Sequence, residues 1–145
     1  KNYITVYNYF INEKGHPEFE FKQLVSSVPK KCDELSAACA LRFSDDGKYA
    51  FCSNAGDNSV GFFKIDEENG LLRVQSILPI SGDYPKDLAI FPDGKHFVSV
   101  NQDSNTLTFF TIDYKKGIII MNGHPLPLDN GNCCIIVPVE EEEQK

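Results

Sequence analysis

The chain has 145 residues, of which 41% are hydrophobic, and a formal net charge of −7. That length and apolar content suffice for one modest domain with a hydrophobic core, whereas the acidic excess argues against non-specific binding to nucleic acid or to anionic membranes, which needs clustered Lys and Arg. The longest apolar runs are about five residues, far short of a membrane span. A small anionic ligand remains compatible with this composition, because a local basic pocket can sit in an acidic protein.

The cysteines predict neither a disulfide framework nor a metal site. Their number is odd, no C-x-x-C occurs, and the spacings match no common zinc pattern. We therefore expect reduced thiols in a cytoplasmic protein, without a metal or another cofactor. The five residues are Cys32, Cys39, Cys52, Cys133 and Cys134.

The chain opens with two predicted strands. Residues 3–11 and 19–27 alternate apolar and polar side chains around a turn, which is typical of paired strands. Residues 4–15 also match residues 60–70 after one inserted residue, so we interpret 3–27 as the outer half of a repeated unit.

The next segment, 39–78, contains a complete unit. Four short strand patterns are separated by the turn 44–47, the polar loop 54–58 and the turn 67–70. No segment shows sustained helical periodicity. Four strands in one unit predict an antiparallel sheet.

The same unit is written again over 86–123. At an offset of 47 positions, Gly47 aligns with Gly94, Asn54 with Asn101, and Phe62-Phe63 with Phe109-Phe110. A period in the forties built from strands is typical of β-propeller blades, which bury their faces against one another. We expect the paired phenylalanines to form the core between blades.

The end of the chain suggests an incomplete ring. Residues 133–138 align with the first strand of a blade, and 140–145 form an acidic tail. The fold class is therefore predicted as all-β: a partial β-propeller over 1–139, with about two complete four-stranded antiparallel blades and part-blades at each end. We expect these to be C-terminal blades of a longer chain. The exposed strand edges would pair with its remaining blades or with a second copy.

The segments 37–72 and 84–113 resemble a known family. AACALRFSDDGKYAFCSNAGDNSVGFFKIDEENGLL and YPKDLAIFPDGKHFVSVNQDSNTLTFFTID are similar to the lactonase-type seven-bladed propellers. This family includes bacterial 6-phosphogluconolactonases and the fungal 3-carboxymuconate cyclase. The resemblance implies a metal-independent lactone hydrolase or lactonising cyclase that acts on a small anionic lactone or a carbohydrate-derived substrate.

The chain departs from the family pattern at four positions. Ala40 stands where the family has Glu, Ala55 where it has Arg, Asp57 where it often has His, and Lys86 where it has Arg. Lys86 keeps the positive charge without the forked geometry of a guanidinium. A non-catalytic propeller that binds a ligand or a protein is therefore the alternative to an enzyme.

The candidate site residues lie on one face of the predicted propeller. The loops 54–58 and 101–105 share this face with the connections 79–86 and 124–133, near the central channel. Lys86 is the candidate catalytic residue, with a surface lysine as the alternative. The candidate substrate-binding residues are Asn54, Asp57, Asn101 and Gln102. For the two asparagines, capping of their own loops is the alternative.

Overall fold

A computed structural model of the chain describes residues 2–32, 35–137 and 139. Within these ranges the secondary structure is all-β, with no helix long and apolar enough to cross a membrane. The predicted acidic tail, 140–145, lies outside the described residues. The strands are β1 (Tyr3–Ile11), β2 (Pro17–Ser26), β3 (Ala37–Phe43), β4 (Tyr49–Ala55), β5 (Ser59–Ile65), β6 (Leu72–Pro79), β7 (Pro85–Ile90), β8 (His96–Asn101), β9 (Thr106–Asp113), β10 (Ile118–Met121) and β11 (Leu126–Pro127).

The strands form three antiparallel sheets in chain order. β1 pairs with β2, β3 to β6 form one four-stranded sheet, and β7 to β10 follow one another in the next, where β11 also pairs with β9. Within each sheet, the strands from β1 to β10 pair with their neighbours in sequence, as in a meander. The predicted all-β fold, a partial propeller, is confirmed.

The two complete blades turn at equivalent glycines. Gly47 and Gly94 follow the first strand of each blade with φ of 68° and 64°, and Gly70 and Gly117 follow the third with φ of 71° and 65°. Glycine adopts this left-handed conformation without the steric cost that a Cβ adds. The repeated glycines thus serve the backbone, as their spacing predicts.

Aromatic side chains fill the space between the two complete blades. Phe51 stacks on Phe62 at 4.6 Å between ring centroids, and Phe97 stacks on Phe110 at 4.9 Å. Phe51 lies 5.9 Å from Phe97, which joins the two pairs across the blade interface. All four are buried, so the predicted role of the repeated phenylalanines as inter-blade core is confirmed for Phe62 and Phe110.

The part-blade β1–β2 buries only one of its faces. Ile4 and Val6 pack against Ala50, Cys52 and Phe63 of the next blade. The opposite face is an exposed aromatic surface that consists of Tyr7, Tyr9, Phe19 and Phe21. Coverage of this face and of the free edge of β1 by further blades or by a second copy stays a prediction.

The second complete blade ends differently from the first. Its outer strand is interrupted after Met121, and the neighbouring position along β9 is then taken by β11, where Leu126 lies opposite Leu107. Residues 133–137 form no strand in the structure, because none of the described residues forms a ladder of hydrogen bonds with them. Their role as the first strand of a closing blade, predicted over 133–138, stays a prediction.

Candidate functional site

The innermost strands of the two complete blades lie side by side. β3 and β7 are the first strands of their sheets and contact each other. Each is distorted near its start by a bulge, between Ala38 and Leu41 in β3 and between Pro85 and Asp87 in β7. Propeller blades surround a central channel, and bulges re-aim the side chains of the strand in which they occur.

An ion pair joins the two inner strands. Arg42 Nη2 lies 2.6 Å from Asp87 Oδ1, and the side chain of Asp87 is 5% exposed while that of Arg42 is 41% exposed. A nearly buried carboxylate is stable only when it is paired and hydrogen-bonded. The exposed part of Arg42 leaves guanidinium donors available on the open side of the pair.

The carboxylate of Asp87 receives hydrogen bonds from three successive segments. Oδ1 accepts from the backbone N–H of Leu88 at 2.8 Å as well as from Arg42, and Oδ2 accepts from the N–H of Cys134 at 3.1 Å. The Cys133 thiol also bonds to this carboxylate, which raises the pKa of Cys133. With its lone pairs engaged, Asp87 is arranged to hold other groups in place and not to accept a substrate proton.

The thiol of Cys134 also lies in the electrostatic field of the Asp87 carboxylate. Burial is the main reason that the pKa of Cys134 is raised to about 11, and the negative charge of Asp87 adds to it. A thiol with so high a pKa is almost entirely protonated near neutral pH. Cys134 is therefore not arranged as a nucleophile.

Lys86 lies at the start of β7, next to Asp87. Its Nζ is 5.0 Å from the centroid of the Tyr84 ring, within the range of a cation–π contact. Tyr84 has a φ of 58°, and its backbone is fixed by Asn58 Oδ1, which accepts from its N–H at 2.8 Å, and by the Gln102 N–H, which donates to its carbonyl at 3.0 Å. Lys86 is thus a half-buried cation over a constrained aromatic ring.

The two asparagines predicted at the site are buried inside the blades. The Asn54 amide donates to Ser27 O at 2.7 Å and to Ser59 Oγ at 3.1 Å. The Asn101 amide donates to the hydroxyls of Thr106 and Thr108 at 3.2 and 3.1 Å. Both side chains are 0% exposed, which favours the loop-capping role. Their contact with substrate stays a prediction.

Asp57 and Gln102 lie at the loop ends and are partly exposed. Asp57 Oδ2 accepts from Ser59 Oγ at 2.5 Å, and its own N–H donates to Ser36 Oγ at 3.2 Å. Gln102 is held by the backbone contact with Tyr84. The structure therefore brings Gln102 near Lys86 through Tyr84, whereas Asp57 belongs to the neighbouring loop. Substrate contact by either residue stays a prediction.

Arg42 and Asp87 were not found by sequence reasoning, although a signal was available. At the offset of 47, Asp87 aligns with Ala40 and with Cys134, while Arg42 aligns with Ala89. A charged residue that replaces a small one at a buried strand position needs a partner. The repeat thus marks both residues as exceptions, but only the packing of the blades shows that they meet.

Comparison with known proteins places this chain in a family. Residues 1–136 match the family described as Lactonase, 7-bladed beta-propeller. The chain belongs to this family. The resemblance predicted from residues 37–72 and 84–113 is thereby confirmed.

The chain is similar to one curated relative in sequence and to two solved structures in fold. The chain is 27% identical over 75 residues to a 6-phosphogluconolactonase of Bacillus subtilis, which covers 52% of this chain and 22% of that enzyme. A crystal structure of a protein from Lactobacillus plantarum superposes with a TM-score of 0.81 at 25% identity, covering 91% of this chain and 38% of that one. A periplasmic gluconolactonase of Pseudomonas aeruginosa superposes with a TM-score of 0.80 at 22% identity, covering 91% and 36%.

The chain therefore spans well under half the length of each of these lactonase-fold relatives. Since one of them is periplasmic, the cytoplasmic location expected from the thiols stays a prediction.

Proposed function

We propose that the protein containing this chain hydrolyses a sugar lactone and binds the anionic group of that substrate at Arg42 and Lys86. Membership of the lactonase family supports lactone chemistry. The name of the Bacillus subtilis relative supports a phosphorylated sugar lactone as the first substrate to test. A muconate lactone, formed or opened by a cyclase, is the second substrate class in the same family resemblance.

The observation that carries the proposal is the balance of charge on the inner strands. The inner strands β3 and β7 carry two cations, Arg42 and Lys86, and a single carboxylate, that of Asp87, which pairs with Arg42. Arg42, Lys86 and Asp87 together leave one excess positive charge on the inner strands of a chain whose net charge is −7. Such a local excess attracts a carboxylate or phosphate group, and a guanidinium binds either with directed hydrogen bonds.

The proposed reaction is the hydrolysis of a lactone ring. Water adds to the lactone carbonyl carbon, the ring C–O bond breaks, and the ring oxygen takes one proton of the water while the other passes to the solvent, which yields a hydroxyl and a carboxylate. Negative charge develops on the carbonyl oxygen before the ring opens.

The test uses the complete natural protein with 6-phosphogluconolactone, a muconolactone and neutral gluconolactone. We expect hydrolysis of the phosphorylated lactone above the buffer rate. Arg42→Ala should raise KM for it about 10- to 100-fold, because a hydrogen bond to a charged group contributes about 1.5–3 kcal/mol. The matched control is Arg73→Ala, which removes an arginine that pairs with Asp66 far from the inner strands.

Two results would overturn this proposal. A rate equal to that of the buffer for all three lactones would remove the hydrolase activity. An unchanged KM in both Arg42→Ala and Lys86→Ala would remove the site and leave the activity to be placed elsewhere.

A non-catalytic propeller is the second candidate, and it is favoured by a specific observation. Ala40 replaces the Glu of the family pattern, and the only carboxylate on β3 and β7, that of Asp87, is already engaged by its hydrogen bonds. Calorimetric titration with 6-phosphogluconate separates the candidates. Binding of this ring-opened product without any hydrolysis of the lactone would support a binding protein.

A further inference from the structure

We infer that Asp87 is a positioning residue that holds Arg42 for the anionic group of the ligand, and that it thereby sets the preference for charged over neutral lactones. This inference rests on the proposed function. It concerns a residue outside the four positions at which the chain departs from the family pattern. Its support comes from the repeat and from the hydrogen bonds of the carboxylate.

The repeat itself shows that a blade does not need a carboxylate at this position. The equivalent residue of the preceding blade is Ala40, which is also buried, and the backbone there is held by a bond from the Ala40 N–H to Ser53 Oγ at 3.1 Å. Likewise, Arg42 has Ala89 as its equivalent. Neither member of the ion pair is thus required to build the sheet.

The ion pair between Arg42 and Asp87 costs free energy of desolvation, which its hydrogen bonds must offset. Burial of the Asp87 carboxylate requires that its hydration be replaced by protein donors. Those donors come from Arg42 across the blade interface, from Leu88 on its own strand, and from Cys134 on the following segment. The result is a carboxylate acceptor that is held in place on β7 and bonds to a partly exposed guanidinium.

Arg42 depends on this acceptor for its position. Among the described residues, its other hydrogen bond runs from Nη1 to the carbonyl of the adjacent Leu41, at 3.2 Å. A long side chain held only by its own strand would sample several rotamers and would lose part of its binding energy to the entropy of ordering. With Asp87 in place, the guanidinium plane is fixed before the ligand arrives.

The test compares Asp87→Asn and Asp87→Ala in the complete natural protein, on 6-phosphogluconolactone and on neutral gluconolactone. We expect KM for the phosphorylated lactone to rise about tenfold, with kcat nearly unchanged, and KM for the neutral lactone to stay the same. Asp66→Asn, which breaks the comparable pair with Arg73, is the control and should leave both KM values unchanged.

A double variant distinguishes positioning from a general structural effect. If Asp87 acts through Arg42, then Asp87→Ala added to Arg42→Ala should cause no further rise in KM for the phosphorylated lactone. These substitutions recreate Ala40 and Ala89 of the repeat, so the blades should still fold. Equal losses on charged and neutral lactones, or additive effects in the double variant, would overturn the inference.

Failure of the proposed function remains distinguishable from failure of this inference. If no lactone is hydrolysed, the affinity for 6-phosphogluconate is measured instead, and Asp87→Asn should weaken it about tenfold, as Arg42→Ala should. Unchanged affinity in Asp87→Asn, or the absence of any binding by the natural protein, would overturn the inference. If hydrolysis persists and Asp87→Asn leaves KM unchanged for both lactones, only the positioning role is lost.

Discussion

The two complete blades share their framework and differ on their inner strands. In both, a glycine with positive φ lies in the turn of the first hairpin, a buried asparagine lies at or next to the end of the second strand, and a phenylalanine pair lies on the third. The first blade has Cys39-Ala40 at its inner bulge, and the second has Lys86-Asp87. Residues that repeat therefore maintain the sheets, and charged residues that do not repeat mark the candidate site.

Even the repeated asparagines are used differently in the two blades. Asn54 reaches across to the Ser27 carbonyl of the part-blade, whereas Asn101 bonds to hydroxyls within its own sheet. A second asparagine pair behaves more uniformly. Asn58 and Asn105 both adopt a φ of 52°, and each accepts a backbone N–H from the connection that follows its blade. The same residue type thus repeats because the backbone requires it, while its partners follow the local packing.

The largest expected effect is a difference in the loss of stability when Phe62 and its equivalent Phe109 are each replaced by alanine. Phe62 is fully buried between the blades, whereas Phe109 is partly exposed beside Phe91. We expect Phe62→Ala to lower the free energy of unfolding by about 3–5 kcal/mol, and Phe109→Ala by about 1–2 kcal/mol because less apolar area is lost. Urea unfolding of the 145-residue chain measures both. Equal losses would break the comparison; where a further blade covers Phe109, the two values should converge.

The prediction of intermediate size concerns the packing around Asn101. A Cβ added to Gly82 would lie 2.2 Å from Asn101 Nδ2, and the buried amide has no room to withdraw. We expect Gly82→Ala to cost about 1–3 kcal/mol through overpacking, measured by thermal and urea unfolding. In an Asn101→Ala background the same change should cost less, because the contacts with Nδ2 and Cγ are gone and only that with the Asn101 Cβ, 2.8 Å away, remains. Ser81→Ala, an exposed neighbour, is the control, and full additivity of the two changes would refute this account.

The smallest effect concerns the first turn of each blade. The pKa of Asp93 is lowered to about 2, mainly by its hydrogen bond to His96, whereas the pKa of the equivalent Asp46 is lowered mainly by Ser44. A lowered carboxyl pKa stabilises the fold above the ordinary value of 3.8, and this stabilisation is lost as the pH falls through about 2. His96→Ala should therefore raise the pKa of Asp93 and leave that of Asp46 unchanged in an NMR titration. A shift of both, or of neither, would show that the two turns are not held independently.

Much of the fold was predictable because it is repetitive. The strands over 3–11 and over 39–78 follow from alternating apolar residues and from Gly-containing turns, which depend on local chemistry. The site was less predictable. Asn54 and Asn101 stand in polar loops in the sequence, yet both lie within the second strand of their blade and are buried, because the end of that strand is covered by its neighbours. The break between Met121 and Leu126 was also missed, since a turn that interrupts an edge strand resembles one that ends it.

By itself, the sequence determined the period of 47 residues, the strand order within each blade, the glycines at the turns and the family, because each of these depends on residues that are close in the chain or that recur at a fixed offset. Only the tertiary structure decided that Arg42 of one blade meets Asp87 of the next at 2.6 Å. That contact depends on how two sheets pack and on where their bulges aim the side chains. Electrostatic partners 45 positions apart leave no mark in local periodicity, because attraction between charges depends on distance in space.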